Sequence, residues 1–519
     1  MDRPLVLQIE PSIEPDRNLI GGKALSLVTL AQHGATVPPA FVLTTEAYRR
    51  WMNGGDDALL VELIAQGIQG LENSTGRRFG GGAGGLIVSV RSGAPISMPG
   101  MMDTILNVGL GRLPSGTESF ICDARERFLW QFADLVLDLG SPRLTALRAK
   151  LEPRHSVQNV NAIEKALADE AVVCGKCWPR SVHEELLAAT KAVFSSWESP
   201  RAKLYRRIRK IEDSIGTTVT VQRMVFGNRD RQSGSGVAFT RNPTSGEPGL
   251  HGEFVMCGQG EEVVAGRVTG GGLAELRAAQ PGLFAQLEEL SGRLEASFKK
   301  AQEIEFTVEQ GRLYVLQCRP ALLTVRASAR VAVEMVNEGR VATHEAVQYA
   351  RSHGFEPDSD PTGLAVRGGA TPVAKGLAVG GGVGVGRVAF EIARADELIR
   401  AGEPVVFVAV ETSPSLVSIM QRSAALVTMR GGATSHAAVV ARELGTPCVV
   451  GVGADIDNGR IMVGKGLAAG DWVTIDGDSG EIFEGDVAYL TSRLTAFERT
   501  LRRWSANLRE PEHQNGESK

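Results

Sequence analysis

An α/β (α+β) multidomain fold is predicted by three features of the chain. Its 519 residues suffice for about three or four folding units at roughly 100–200 residues each. Short apolar strand patterns alternate with long helical stretches along most of its length. Many of the 61 glycines fall in clusters, which mark tight turns or close approach of backbone to a ligand.

Composition narrows the function classes. Hydrophobic residues make up 43% and charged residues 22%, the balance of a soluble globular protein. A net charge of −4 gives no bulk attraction to nucleic acid. The segment Met1–Arg17 has no apolar signal core or cleavage pattern. No apolar run approaches the ~20 residues needed to cross a bilayer, so a cytoplasmic enzyme is expected. The six cysteines are too sparse for a disulfide scaffold. The lone Cys174-Gly-Lys-Cys177 motif has no partner pair or nearby His and is read as incidental.

Residues 1–325 are read as a first domain. In it Gly21-Gly22-Lys23 opens a helical stretch from Ala24 to His33. Residues 84–91 form a buried strand running into Ser97–Asp103, a loop that Pro99 and Gly100 force out of regular structure. Residues 116–212 are helical. Strands follow at Thr217–Val225, Val237–Arg241 and Gly252–Val255, then a helix near 283–301 and a hairpin over 303–319. Residues 326–370 are assigned as a helical connector, helical to about 352 and looser around Glu356–Pro361. Residues 371–493 alternate short apolar strands with one clear helix, which predicts a compact α/β unit. Residues 494–519 are read as a charged tail with a disordered end.

The sharpest local signal runs from Arg430 to Gly445. Gly431 and Gly432 make a turn, Thr434 or Ser435 caps a helix, and Gly445 ends it. His436 thus falls in the first helical turn, where free N–H groups and the helix dipole favour an anion. The same field disfavours imidazolium, so the ring is expected to be a neutral nucleophile near pH 7. The first acid after His436 is Glu443, so none in the first turn competes with a phosphate.

A second constellation lies in the hairpin. Alternation puts Glu303 and Glu305 on one face and Ile304, Phe306 and Val308 on the other. A three-residue loop at Gln310–Arg312 would set Glu305 opposite Gln317 and Glu303 opposite Arg319, whereas a two-residue loop would separate them. Oxygen ligands in this arrangement suit Mg²⁺ bridging phosphates, with Arg319 neutralising charge.

The block Arg430–Gly445 closely resembles the phosphohistidine domain of the enzymes that use phosphoenolpyruvate, which implies that His436 is the catalytic residue that carries phosphate. Glu411-Thr412-Ser413-Pro414 and Ala374-Lys375-Gly376-Leu377 match the dikinase version of that domain. The first 320 residues resemble the ATP-grasp portion of the pyruvate phosphate dikinase family, through separated blocks in the same order. That resemblance implies that Lys23 and Arg91 reach the nucleotide phosphates, and that Ser97, Gly100, Met101 and Asp103 belong to a phosphate loop. It also implies that Gln222, Met224 and Val225 line the adenine, the apolar side chains and edge-strand backbone groups of their strand holding the base. Glu253, Glu303 and Arg319 are implied near ribose and phosphates, and Glu305 and Gln317 as Mg²⁺ ligands. One departure is Cys257-Gly258-Gln259, where the family has Asn-Ala-Gln.

The implied half-reaction converts ATP, inorganic phosphate and His436 to AMP, pyrophosphate and phospho-His436. The His unit then swings to an acceptor, with residues 353–370 and Gly376–Gly386 as expected hinges. Members of the family carry a carboxy-terminal barrel of roughly 250 residues for pyruvate or phosphoenolpyruvate. About 26 residues follow the His unit here, too few to contain one. The acceptor expected is therefore pyruvate on a separate barrel protein, another small molecule or protein, or none if only the ATP half-reaction survives. A non-catalytic ATP-responsive phosphocarrier or adaptor is the reading from a different class. A homodimer is a further expectation, as are the absence of nucleic-acid and membrane partners.

Overall fold

A computed structural model describes residues 3–508, apart from residues 15, 55, 97, 99–103, 152–155, 261–271, 358–361, 413–415, 454–455, 458–459, 462–465 and 493. Ser97, Gly100, Met101 and Asp103 of the expected phosphate loop lie outside the described residues. The chain forms two compact units. One comprises Met1–Arg229 with Tyr314–Gln317, the other Asp230–Leu313 with Cys318–Lys519. Among the described residues, no helix is long and apolar enough to cross a membrane.

The first unit is built on an antiparallel sheet. Its strands are β1 (Val6–Gln8), β2 (Ala40–Leu43), β3 (Val88–Ser92), β4 (Thr104–Val108) and β5 (Val219–Arg223), in spatial order β1-β2-β5-β3-β4. Val88, Val90, Val219 and Val221 point into a core shared with Phe128, Leu186 and Val193 of the helical region. Alternation sends Ser89, Arg91, Thr220 and Gln222 to the other, polar face. One side of the sheet is thereby apolar core and the other carries polar side chains.

Helix α1 (Arg17–Gln32) starts earlier than predicted and is broken at Gly21, with φ 75° and ψ 171°. That backbone region is essentially glycine's alone. A Cβ at Gly21 would also overlap the carbonyl oxygen of Gly93, the residue after β3. Gly22 N donates to Ala94 O at 3.0 Å. The break thus docks α1 on the end of β3, and Lys23 begins the second helical segment beside it.

The second unit starts with an antiparallel sheet of β6 (Gly234–Arg241), β7 (Pro248–Met256), β8 (Gln302–Glu309) and β9 (Arg312–Pro320), in the order β7-β6-β8-β9. The β8–β9 turn holds two residues, Gln310 (φ 51°) and Gly311 (φ 71°), the shorter of the two loops weighed from the sequence. Two positive φ values in a row are what a tight hairpin turn requires.

A second sheet has eight strands, in the order Ala374–Lys375, Glu481–Glu484, Trp472–Asp476, Val383–Ala389, Val405–Ala409, Ala425–Thr428, Cys448–Val450 and Leu377–Gly380. The stretch from Val383–Ala389 to Cys448–Val450 is parallel, and the flanking pairs are antiparallel. Helices at Ile392–Arg400, Val417–Arg422 and His436–Leu444 connect the parallel strands, three where one was predicted. The first is strongly charged and the second has six residues, so neither shows a long apolar period.

Two further stretches are more regular than expected. Most of the Gly376–Gly386 run is strand, Leu377–Gly380 and Val383–Ala389, where a Cβ at Gly380 or Gly384 would overlap the carbonyl oxygen of Thr446 or Ala424. The charged tail contains a helix, Ala496–Asn507, started by a Thr495/Glu498 capping box. Its Leu501 is buried against Ala329, Ala332 and Ala346 of the preceding helices. The connector, too, is ordered where described, because Thr362–Val366 pairs with Ala488–Ser492. Chain entry and exit at the eight-stranded sheet are therefore one two-stranded ribbon.

Candidate active site

The predicted residues fall into two groups, one in each unit. In the first, Arg91 on β3 donates from Nη1 to Gln222 Oε1 at 3.3 Å and from Nη2 to Gln317 Oε1 at 3.2 Å. Three residues expected at nucleotide or metal are thus brought together on the polar face. Lys23 lies at the break of α1, near enough to Gly93 that a Cβ added there would be in van der Waals contact with the lysine Cβ. The adenine expectation needs correction. β5 is central, paired to β2 and β3, so its backbone groups are spent in ladders. Met224 and Val225 follow its end, and Met224 N already donates to Ile87 O at 2.8 Å.

In the second unit, strand register sets the chemistry. Glu253, Val237 and Glu305 form one row across β7, β6 and β8, and His251, Phe239 and Glu303 the next row on the same face. Arg319 Nη2 donates to Glu303 Oε1 at 2.6 Å, so the pair expected from a longer turn is made despite the shorter one. Burial works against the Arg319 charge, but Glu303 and Glu305 outweigh it and hold its pKa above the ordinary value.

The turn carrying His436 lies on this same face. Ser435 is the N-cap, its Oγ accepting from Ala438 N at 3.4 Å, and His436 is the first helical residue. Gly445 closes the helix at φ 68°, as predicted. Thr434 is not the cap: its hydroxyl donates to Glu253 Oε2 at 3.0 Å and its N–H to Glu253 Oε1 at 3.3 Å. Glu253, expected at the nucleotide, is therefore bonded to the histidine's own turn. His436 Nδ1 lies 3.3 Å from Thr412 Oγ1. Burial lowers the His436 pKa from its ordinary value, in the direction expected for a neutral ring.

Two residues were quoted in the sequence blocks without a role. Thr412 holds one nitrogen of the ring. Arg442, on the same helix as His436, is 6% exposed and donates from Nη2 to Ala433 O at 2.9 Å. Its guanidinium lies 5.8 Å from the Phe239 ring centroid, and burial lowers its pKa to about 10. A lone arginine following the Ala437–Ala441 apolar run of this helix was the available signal.

Mg²⁺ takes hard oxygen ligands. Among the described residues no group of three His, Cys, Asp or Glu side chains is placed to hold a metal. The carboxylate of Glu305, in one unit, and the amide oxygen of Gln317, in the other, are each oxygen donors of the kind Mg²⁺ takes.

Comparison with known proteins places the chain among relatives. Residues 57–272 match the family model for the pyruvate phosphate dikinase AMP/ATP-binding domain, and residues 401–480 match that for the PEP-utilising enzyme mobile domain. The chain is 37% identical over 517 residues to a pyruvate, phosphate dikinase of Clostridium symbiosum, covering 93% of this chain and 58% of that relative. It is 36% identical over 540 residues to the Rhizobium meliloti protein of that name, covering 96% and 59%. Against the chloroplastic pyruvate, phosphate dikinase 1 of Arabidopsis thaliana the identity is 36% over 519 residues, covering 95% and 54%. The chain thus spans 54% to 59% of the length of these relatives. With an AMP/ATP-binding domain, a mobile domain and this identity along nearly its whole length, the chain belongs to the pyruvate phosphate dikinase family.

Proposed function

We propose that this chain performs the ATP half-reaction of a dikinase, placing the β-phosphoryl group of ATP on His436 with inorganic phosphate as co-substrate. The observation that carries this reading is the ring's setting: first residue of a helix, half-buried, with Thr412 against Nδ1. With Nδ1–H donated to Thr412 Oγ1, the lone pair is on Nε2, which attacks the β-phosphorus. The bond from the β-phosphorus to the AMP oxygen breaks. That leaves a pyrophosphoryl group on the ring; an oxygen of inorganic phosphate attacks its γ-phosphorus, the bond from the γ-phosphorus to the bridging oxygen breaks, and pyrophosphate leaves with the β-phosphoryl group still on Nε2. The helix N-terminus stabilises the phosphoryl group on the ring.

Positioning and charge neutralisation carry most of such a transfer. Lys23, Arg91 and Arg319 supply positive charge to the phosphates, and Glu305 and Gln317 are the proposed ligands of Mg²⁺. When bound, that ion neutralises phosphate oxygens. The proposed onward acceptor is pyruvate, giving phosphoenolpyruvate.

The test uses ATP labelled at either the β or the γ position, with Mg²⁺ and phosphate. Label from the β position should stay on the protein in an acid-labile form, and label from the γ position should appear in pyrophosphate. Protein label from the γ position, or none from either, would refute the proposal.

The lowered pKa of His436 fixes the sign of the pH effect. An ordinary imidazole is half protonated near pH 6.5. A lowered value keeps the reactive neutral form present further into acid. Single-turnover loading should therefore hold its rate as pH falls through 6.5 and drop only below it. An acid limb centred at or above 6.5 would contradict this.

A further inference from the structure

We propose that Glu253 is a positioning residue that seats the His436 turn for loading, and not a ligand of the nucleotide; this rests on the His436 reading above. Three observations carry it. Glu253 accepts from Thr434 N and from Thr434 Oγ1, at 3.3 and 3.0 Å, and from the backbone of Ala433. A Cβ at Gly432 would overlap this carboxylate, so the side chain fills the space that the glycine leaves open. Glu253 is buried, and three of a carboxylate's roughly four acceptor sites are already taken by the turn. Little capacity remains for ribose or phosphate, and a carboxylate beside a triphosphate would repel it.

The location gives the contact its function. Glu253 belongs to β7 of the four-stranded sheet, whereas the turn belongs to the eight-stranded sheet tethered by the Thr362–Val366 and Ala488–Ser492 ribbon. Thr244 Oγ1, between β6 and β7, donates to Ala378 O at 2.9 Å, and Arg326 of the helix Val325–Asn337 pairs with Asp478 at 3.0 Å, both away from the His436 turn. At the turn, Ala433 packs against the cluster of Val237 and Phe239, and Arg442 lies over Phe239, so apolar contact supports the seat while Glu253 supplies its polar bonds. Glu253 therefore sets where the backbone just before the nucleophile lies. When the sheets part, its carboxylate regains water, so the seat can be released.

The experiment compares Glu253→Gln, Thr434→Val and the double variant in the full chain. Glu253→Gln should slow β-phosphoryl loading roughly tenfold to a hundredfold, the range for a hydrogen bond to a charged group. The ATP dissociation constant should stay within about twofold of wild type. Thr434→Val should slow loading less, and the double variant should be no slower than Glu253→Gln, since both remove one contact. Labelling of His436 by phosphoramidate, a small donor that needs no seating, should be unchanged. Weakened ATP binding, additive effects or unchanged loading would each overturn the proposal. Hydrogen exchange separates it from the half-reaction itself. If wild type takes no label from ATP, the loading reading fails. The Gly432–Thr434 amides still judge the seat, which stands if they exchange slowly in wild type and faster in Glu253→Gln, and falls if the two are alike.

Discussion

A His436→Ala variant is expected to take no acid-labile label from ATP while folding and binding nucleotide like wild type. The loss should be complete because the imidazole is the bond-forming atom's only source; a positioned environment without a nucleophile cannot hold a phosphoryl group. Folding should be spared for a local reason. His436 opens its helix, the cap is the neighbouring Ser435, and the core of the helix is made by Ala437, Ala438 and Ala441. Exchanging the ring for a methyl group, with the loss of the 3.3 Å contact to Thr412, should cost less than about 1 kcal/mol. Label retained in the variant would move the phosphorylated residue elsewhere. Lost ATP binding would show that the variant damaged more than the nucleophile.

The second large effect is on stability. Arg241, at the end of β6 and 2% exposed, is bonded to Glu295 at 3.0 and 2.8 Å, to Glu334 at 2.7 Å and to Glu338 at 2.9 Å. These carboxylates lie on and just after the helices Pro281–Phe298 and Val325–Asn337, so one guanidinium ties the sheet to both. The carboxylates hold its pKa above the ordinary value although burial opposes the charge. Arg241→Ala would leave Glu295, itself 5% exposed, with Arg340 at 3.0 Å as its remaining arginine partner in this network. Breaking a buried pair by removing one partner costs about 3–5 kcal/mol. Urea unfolding should show that loss, with the second unit melting first. A change under about 1 kcal/mol would mean that water replaces the guanidinium at little cost.

Local features were readable wherever the causes lie close together in the chain. The turn, cap, helix and stop around His436 fall within sixteen residues, Arg430 to Gly445, and each acts on its immediate neighbours. The alternation of Glu303 and Glu305 needed one strand only. Non-local pairing was not readable in this way. Val219–Val225 looked able to offer edge-strand groups, yet it lies between β2 and β3, whose sequences are over 120 residues away. Helix Val417–Arg422 was missed because six residues are too few to show a period. The tail helix was missed because most of its surface is charged and its apolar contacts belong to helices far earlier in the chain.

By itself the sequence determined the α/β class, the helical and strand-rich regions of the first 320 residues, and a histidine at a helix start, because propensity, capping and alternation act over a few residues. Tertiary structure alone decided what those residues face. It put Gln317 and Gln222 against Arg91, Thr412 against the histidine ring, and Glu253 beneath the turn 181 residues away. Such meetings depend on sheet order and register, which are settled by how whole apolar faces pack and not by any short stretch of chain.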